Sequence, residues 1–219
     1  MGIGADRKAL PTAEEMTKLF AGLDERIINT LLDAASLRRM KKGETFIRQG
    51  ELPERFCVLL DGVMRGVVFA HSGRSITSCL ICRRGDFTLG ANDPVQPSLM
   101  SIEALTDVQL LELPLRLVTE MIESEPQMAA YRAHALEAAM VREWNIKMML
   151  YSGSAMERYQ WFLENYPGLI DTISNKYIAS FLGISPVTLS RMRSKLRDDK
   201  SRGGVIFGNS DDMSNCDIS

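Results

Sequence analysis

Residues 174–197, SNKYIASFLGISPVTLSRMRSKLR, hold the side chains best suited to reading a polyanion. Their spacing fits two short helices joined by a tight turn. Ser174 stands at the N-cap position of the first helix. Ile178, Ala179 and Leu182 form its inner stripe, and the small Ala179 lets a second helix cross closely. Gly183 can take the left-handed turn conformation without steric cost. Ser185 caps the second helix, and Pro186 fills its first position, where a missing N–H costs nothing. Leu189, Met192 and Leu196 recur at i, i+3 and i+7 and face inward. Val187, Thr188, Arg191, Ser194 and Lys195 lie on the opposite face. This is the build of a helix-turn-helix, whose second helix sits in the major groove with its N-terminal outward residues at base edges. The same pattern also fits a plain αα-hairpin with a solvated polar face.

A second spacing that could do chemistry is the C-x-x-C of Cys79 and Cys82, which invites a redox or metal reading. On a strand, residues three apart point to opposite faces, so these thiols meet only if the strand ends between them. No second pair and no neighbouring His completes a zinc site, and no metal is expected. His71 falls at a hairpin tip, and His134 falls on a long helix, facing pocket, core or solvent. No Gly-rich phosphate loop, nucleophile elbow or paired catalytic carboxylates stands out, so an enzyme is not expected.

The chain of 219 residues has room for one large or two modest domains. Its net charge of −2 argues by itself against a nucleic-acid partner, but the distribution matters more. Residues 1–125 carry 15 Lys/Arg against 18 Asp/Glu, whereas residues 185–202 carry six basic residues against Asp198 and Asp199. Four unevenly spaced cysteines make no disulfide framework, and reduced thiols are expected. No apolar run is long enough to span a bilayer, and the opening residues lack an apolar signal core. A cytoplasmic protein with no membrane partner is expected.

Around the helix-turn-helix, the chain divides into three parts. Residues 12–40 read as a pair of short helices, with Thr12 as a cap and Leu19, Phe20, Leu23, Ile27, Ile28, Leu31 and Leu32 as apolar faces. Residues 41–113 alternate Gly-containing turns with short β-rich runs at 45–48, 56–60, 63–69, 75–81, 99–103 and 108–113. Even spacing of short strands predicts an antiparallel barrel or jelly roll. A short helix follows over 114–124, and Pro126 opens a long one over 127–151. Val141, Trp144, Met148 and Tyr151 make one stripe of that helix, and Tyr131, Ala135 and Ala138 make a second. A helix apolar on two sides packs on two sides, here the roll and the same helix of a second subunit. A helix buried within one chain is the alternative. Residues 155–166 are helical again, ended by Pro167 and Gly168. Residues 205–207 can supply a strand of a small wing in an otherwise Gly/Ser/Asp-rich tail. The expected class is α+β, with a β-roll effector domain at 1–125, a dimerisation helix at 126–151 and a helix-turn-helix domain at 152–219.

In this order of parts the sequence resembles the Crp/Fnr superfamily of bacterial transcription regulators, over roughly residues 15–200. The carriers are KKGETFIRQGELPERFCVLLDGVMRG, RRGDF, EALTDVQLLELP, ERYQWFLENYPGL and IASFLGISPVTLSR, in that order. The resemblance implies a β-roll effector domain, a long dimerisation helix and a winged helix-turn-helix. It also implies a homodimer on a palindromic DNA site that recruits or blocks RNA polymerase. A sensor module acting through a protein partner is the alternative.

The resemblance places Arg191 where the family keeps a base-contacting arginine, suited to a guanine edge by two parallel hydrogen bonds. Thr188 and Ser190 then reach a base or a phosphate. Val187 stands where an acidic residue is frequent, so only apolar contact, as to a thymine methyl, is expected there. Arg193, Lys195 and Arg197 suit phosphates, with Ser185 and Ser194 beside them. The effector side departs from the cyclic-nucleotide binders. In the run Gly85, Asp86, Phe87, Thr88, Leu89, Gly90, either Leu89 or Gly90 occupies the place of the ribose-binding glutamate. Ser98, Leu99, Met100 and Ser101 stand where an Arg followed by a small residue holds the cyclic phosphate. A buried phosphate diester without a cation is poorly compensated, so cyclic AMP and GMP are not expected to bind in the usual mode. These residues other than Met100, with Tyr131 and His134, are the expected pocket, and its effector is left open. The family's iron–sulfur members carry an N-terminal cysteine cluster. The first cysteine here is Cys57, so that cofactor is not expected, and haem has no support.

Overall fold

A computed structural model describes residues 10–88 and 96–201, with the side chains of residues 197–201 outside that description. Helices α1 (Ala13–Leu19) and α2 (Glu25–Ala34) open the described chain. Thr12 and Glu15 form a reciprocal capping box at α1, and the Asp24 carboxylate accepts the Ile27 N–H at α2. Each such cap satisfies donors that the first turn leaves open, worth about 1 kcal/mol.

The reading of residues 12–40 as helical is corrected at its end. The chain leaves the helix at Ala34, and β1 (Ser36–Met40) pairs antiparallel with β7 (Val108–Pro114). Arg38 and Arg39 hide the alternation in so short a strand, and pairing with β7 decides the conformation. Arg38 sits diagonally from Glu112 across the strands and donates to its carboxylate at 3.2 Å.

The roll consists of two antiparallel sheets. One has the order β1-β7-β3, with β3 at Arg55–Asp61. The other is β2-β6-β4-β5, built from Thr45–Ile47, Ser101–Ala104, Met64–Phe69 and Ser75–Ile81. Cys57, Leu59, Val108 and Leu110 face Met64, Ile81 and Ile102 in a core between the sheets. Phe56, Val58, Leu60, Leu111 and Leu113 face the other way, against α1 and α2. Strands covered on both faces read as continuous apolar runs, as FCVLL does in β3. Gly62 turns β3 into β4 at φ 94°, and a Cβ there would collide with the Asp107 carbonyl.

Pro114 leads into α3 (Leu115–Ser124), and Pro126 opens α4 (Pro126–Ser152), a helix of 27 residues. Beyond it come α5 (Ala155–Asn165), capped by a Ser154–Glu157 box, and the single turn α6 (Leu169–Thr172), which periodicity did not show. The last two helices are α7 (Asn175–Phe181) and α8 (Pro186–Ser201). Their core of Phe162, Ile178, Leu182 and Leu189 is continuous with Val63, Leu80 and Leu105 of the roll. Among the described residues no helix is long and apolar enough to cross a membrane. The residues expected to form a wing, 205–207, lie outside the described ones.

Candidate DNA-reading helix and roll cavity

The turn between α7 and α8 is built as the sequence suggests, with one exception. Ser174 occupies the N-cap of α7 but makes no side-chain cap bond. Ile178, Ala179 and Leu182 are buried, and Gly183 takes φ +63°. The Ile184 N–H then donates to the Ala179 carbonyl at 2.9 Å. Ser185 caps α8: its Oγ accepts the Thr188 N–H at 3.0 Å and lies 2.8 Å from the Thr188 hydroxyl. Arg158 of α5 clamps the turn, donating to the Leu182 carbonyl at 2.8 Å and the Gly153 carbonyl at 3.1 Å. Nothing in the periodicity of α5 singles that arginine out.

Leu189 and Met192 face inward and are buried. Val187, Ser190, Arg191, Ser194 and Lys195 are exposed on the far side of α8, and Thr188 is half-buried by its bond to the cap. Arg193, expected at phosphate, is placed differently. Its guanidinium donates to Asp171 at 2.5 Å, Asn175 at 3.1 Å and the Ile170 carbonyl at 3.3 Å. It ties α8 to α6 and α7, and only a quarter of its side chain is exposed. Arg197's side chain lies outside the described residues.

Between the roll, α3 and α4 lies a cavity of about 600 Å³. Of the residues named for the pocket, Gly85, Asp86, Phe87, Leu99 and Tyr131 line this cavity, and Thr88, Ser98, Ser101 and His134 do not. His134 is exposed on α4, because the helix phase that turns Tyr131 and Ala135 to the cavity turns His134 to solvent. Thr88 is buried and gives its hydroxyl to the Cys57 carbonyl. Ser98 gives its hydroxyl to the Met100 carbonyl at 2.6 Å. Ser101 accepts the Gln49 N–H at 3.0 Å. Leu89 and Gly90 lie outside the described residues.

The cavity wall is mainly apolar, with aromatic rings packed in sequence. Phe56 meets Phe87 at 5.0 Å between centroids, and Tyr131 lies 6.4 Å from Phe87 and 6.0 Å from Phe20. Burial holds the Tyr131 phenol above its ordinary pKa. Arg142 of α4, missed in the sequence, donates to Asp86 at 3.0 Å. The other Asp86 oxygen accepts the Cys82 and Arg83 N–H groups. Burial raises the Glu143 carboxyl, against a smaller lowering by Arg142.

Cys79 lines the cavity with its Sγ 3.8 Å from the Met100 Sδ, and Cys82 follows the end of β5. Cys57, Cys79 and Cys82 are free thiols. Burial pushes Cys57 up to about 12, Cys82 up to about 11, and Cys79 upward. Thiols held protonated are poor nucleophiles and poor metal ligands. Among the described residues no group of three His, Cys, Asp or Glu could hold a metal ion.

A contact that sequence reading missed joins the two halves. Arg65 of β4 is nearly fully buried, with Nε donating to Glu103 at 2.6 Å and Nη1 to the Thr77 hydroxyl at 2.9 Å. The Tyr177 ring of α7 covers it, 4.2 Å from the guanidinium carbon. Beside it the Thr77 N–H donates to the Ser180 hydroxyl at 2.9 Å. Strand β5 is an edge strand, and α7 satisfies the donor that such an edge leaves open.

Residues 37–125 match the family model of the cyclic nucleotide-binding domain. Solved structures with the same fold include FixK2 from Bradyrhizobium japonicum, at 19% identity and TM-score 0.69, covering 80% of this chain and 89% of that one. The c-di-GMP-responsive global regulator CLP of Xanthomonas campestris is 15% identical with TM-score 0.64, covering 85% of this chain and 100% of that one. The catabolite activator protein of Thermus thermophilus is 24% identical with TM-score 0.50, covering 87% and 90%. Among curated protein sequences none matches this chain at a significant level. The described architecture is thus a cyclic nucleotide-binding-type roll followed by a long helix and a helix-turn-helix. It is the fold of the Crp/Fnr regulators.

Proposed function

We propose that this chain is a homodimeric, sequence-specific DNA-binding transcription regulator and not an enzyme. The observation that carries the reading is the outer face of α8, where Val187, Ser190, Arg191, Ser194 and Lys195 stand exposed over buried Leu189 and Met192. In this reading Arg191 reads a guanine edge, Thr188 and Ser190 contact bases or phosphates near the helix start, and Lys195 and Ser194 meet phosphate. Ser185 holds the N-terminal turn that presents them.

The dimer interface is the stripe of α4 that the roll leaves uncovered. Met140, Val141, Trp144, Met148 and Tyr151 are each more than half exposed there. Apolar residues at 3-4-3 spacing on a long helix suit the seam of a two-stranded coiled coil. Two copies related by a two-fold axis place their α8 helices on half-sites about 34 Å apart, so the operator is palindromic. Contact with RNA polymerase from this DNA-bound dimer, in the cytoplasm, completes the regulator reading.

The effector of the roll is not a cyclic nucleotide bound in the usual mode. No cation stands at residues 98–101, and the Thr88 and Ser98 hydroxyls are already given to backbone carbonyls. Selection of duplexes from a random library by the full chain tests the function. Enrichment of a palindrome with half-sites one helical turn apart is the expected result; no enrichment over input would refute it.

A further inference from the structure

The same cavity is long as well as apolar. The α4 residues that line it include Met128, Tyr131, Ala135, Ala138, Arg142 and Ile146, a single face of the helix. From Met128 to Ile146 the axis advances about 27 Å at 1.5 Å per residue. About 600 Å³ spread along that length makes a crevice rather than a round pocket. Alanines in the middle of the face leave room where larger side chains would fill it. The shape suits an extended chain better than a compact ring system or a nucleotide, whose ribose and phosphate need many polar partners.

The charges of the lining add a second constraint. Two arginines, Arg132 and Arg142, line the cavity from α4. Arg142 is neutralised by Asp86 at 3.0 Å. Arg132 has no ion-pair partner among the described residues. Glu143 also lines the cavity from α4, at an exposed position eleven residues along the helix from Arg132. Beside its long apolar wall the crevice therefore offers, in Arg132, a cation with no ion-pair partner among the described residues. We propose that it binds a single-chain carboxylic acid of about ten to sixteen carbons, with its carboxylate on Arg132 and its hydrocarbon chain along the α4 face. This rests on the regulator reading only for its consequence, since such an acid would be the effector.

The test is calorimetric titration of the full chain with dodecanoate, decanoate, methyl dodecanoate and cyclic AMP, each below its aggregation concentration. Dodecanoate is expected to bind once per chain. Decanoate is expected to bind at least about tenfold more weakly, since each methylene removed from an apolar wall costs roughly fourfold. Cyclic AMP is expected not to bind. Arg132→Ala should bring the acid down to the affinity of the methyl ester and leave the ester unchanged. Ala135→Trp, which fills the crevice, should abolish both. The comparison of acid and ester on Arg132→Ala stands by itself if Ala135→Trp fails to fold. Absence of saturable dodecanoate binding would overturn the proposal, as would an undiminished preference for acid over ester in Arg132→Ala or undiminished binding by folded Ala135→Trp. The titrations contain no DNA, so failure of the regulator reading would leave a positive binding result standing, and a regulator that binds none of these acids would refute this inference alone.

Discussion

The guanidinium of Arg65 lies 4.2 Å from the Tyr177 ring centroid, and this contact joins strand β4 of the roll to the first helix of the helix-turn-helix. Arg65 is also bonded to Glu103 and Thr77, so its position is set by the roll before α7 arrives. Tyr177 then covers a charge that is already paired. Thr77 and Ser180, one hydrogen bond away, repeat the link on β5. The Cys79, Leu80 and Ile81 end of β5 lines the cavity, so one strand touches both the cavity and α7.

Removing this contact should loosen the two halves without unfolding either core. Tyr177→Ala is expected to lower stability by about 0.5–2 kcal/mol, the range of a partly desolvated cation–π pair. Ser180→Ala leaves the buried Thr77 N–H unsatisfied and is expected to cost about 1–3 kcal/mol. Denaturant unfolding measures both, and unchanged midpoints would show that the halves do not hold each other in solution.

The exposed α4 stripe predicts the assembly. Trp144→Glu with Met148→Glu should shift the protein from dimer to monomer in analytical ultracentrifugation, with intact far-ultraviolet circular dichroism. DNA affinity should fall by more than tenfold, because each half-site then binds alone. A dimer that survives both charges would place the interface elsewhere.

Arginine and lysine on α8 should separate by role. Arg191→Ala is expected to cut site preference by about 1–3 kcal/mol at each half-site while keeping weak non-specific binding. Lys195→Ala should weaken all sequences alike and reduce the salt slope by about one unit per half-site. Arg193→Ala should lower stability by about 1–3 kcal/mol instead, because its donors serve Ile170, Asn175 and Asp171. Loss of the salt slope in Arg193→Ala with unchanged stability would reverse that assignment.

The buried thiols set an alkaline limit. Cys57 and Cys82 titrate near 9.0 when unfolded and are held up to about 12 and about 11 when folded. The unfolded chain therefore loses protons first as pH rises. Their contribution to stability is whole below pH 9 and is lost progressively between pH 9 and about 12. Urea unfolding at pH 8, 9.5 and 10.5 should show that decline, less steep in Cys57→Ala. At pH 8 a disulfide reagent should leave Cys57 unmodified in the folded protein.

Much of this architecture can be read from residue types alone. Gly183, Ser185 and Pro186 each have one conformational use, and the turn they predict is present. The Tyr131, Ala135, Ala138 stripe is legible as one face because a helix carries its period in its sequence, and those three residues line the cavity. What escaped is set by partners distant in sequence. Strand β1 exists because β7 pairs with it. Arg65, Arg142 and Arg158 look like ordinary surface arginines until Tyr177, Asp86 and the Leu182 carbonyl are brought to them. Arg193 and Lys195 are two residues apart on one helix, and only the position of α6 sends one inward to Asp171. Thr88 and Ser98 look like ligand donors in sequence, and backbone carbonyls use them first.

The most direct measurement of the central claim is fluorescence anisotropy of the full chain on a selected palindromic duplex and on its scrambled counterpart, over 50–300 mM salt. Salt-sensitive binding to both duplexes is expected, at least about a thousandfold tighter for the palindrome, with that preference reduced more than tenfold in Arg191→Ala. Equal affinity for both duplexes, or no binding to either at the lowest salt, would contradict it.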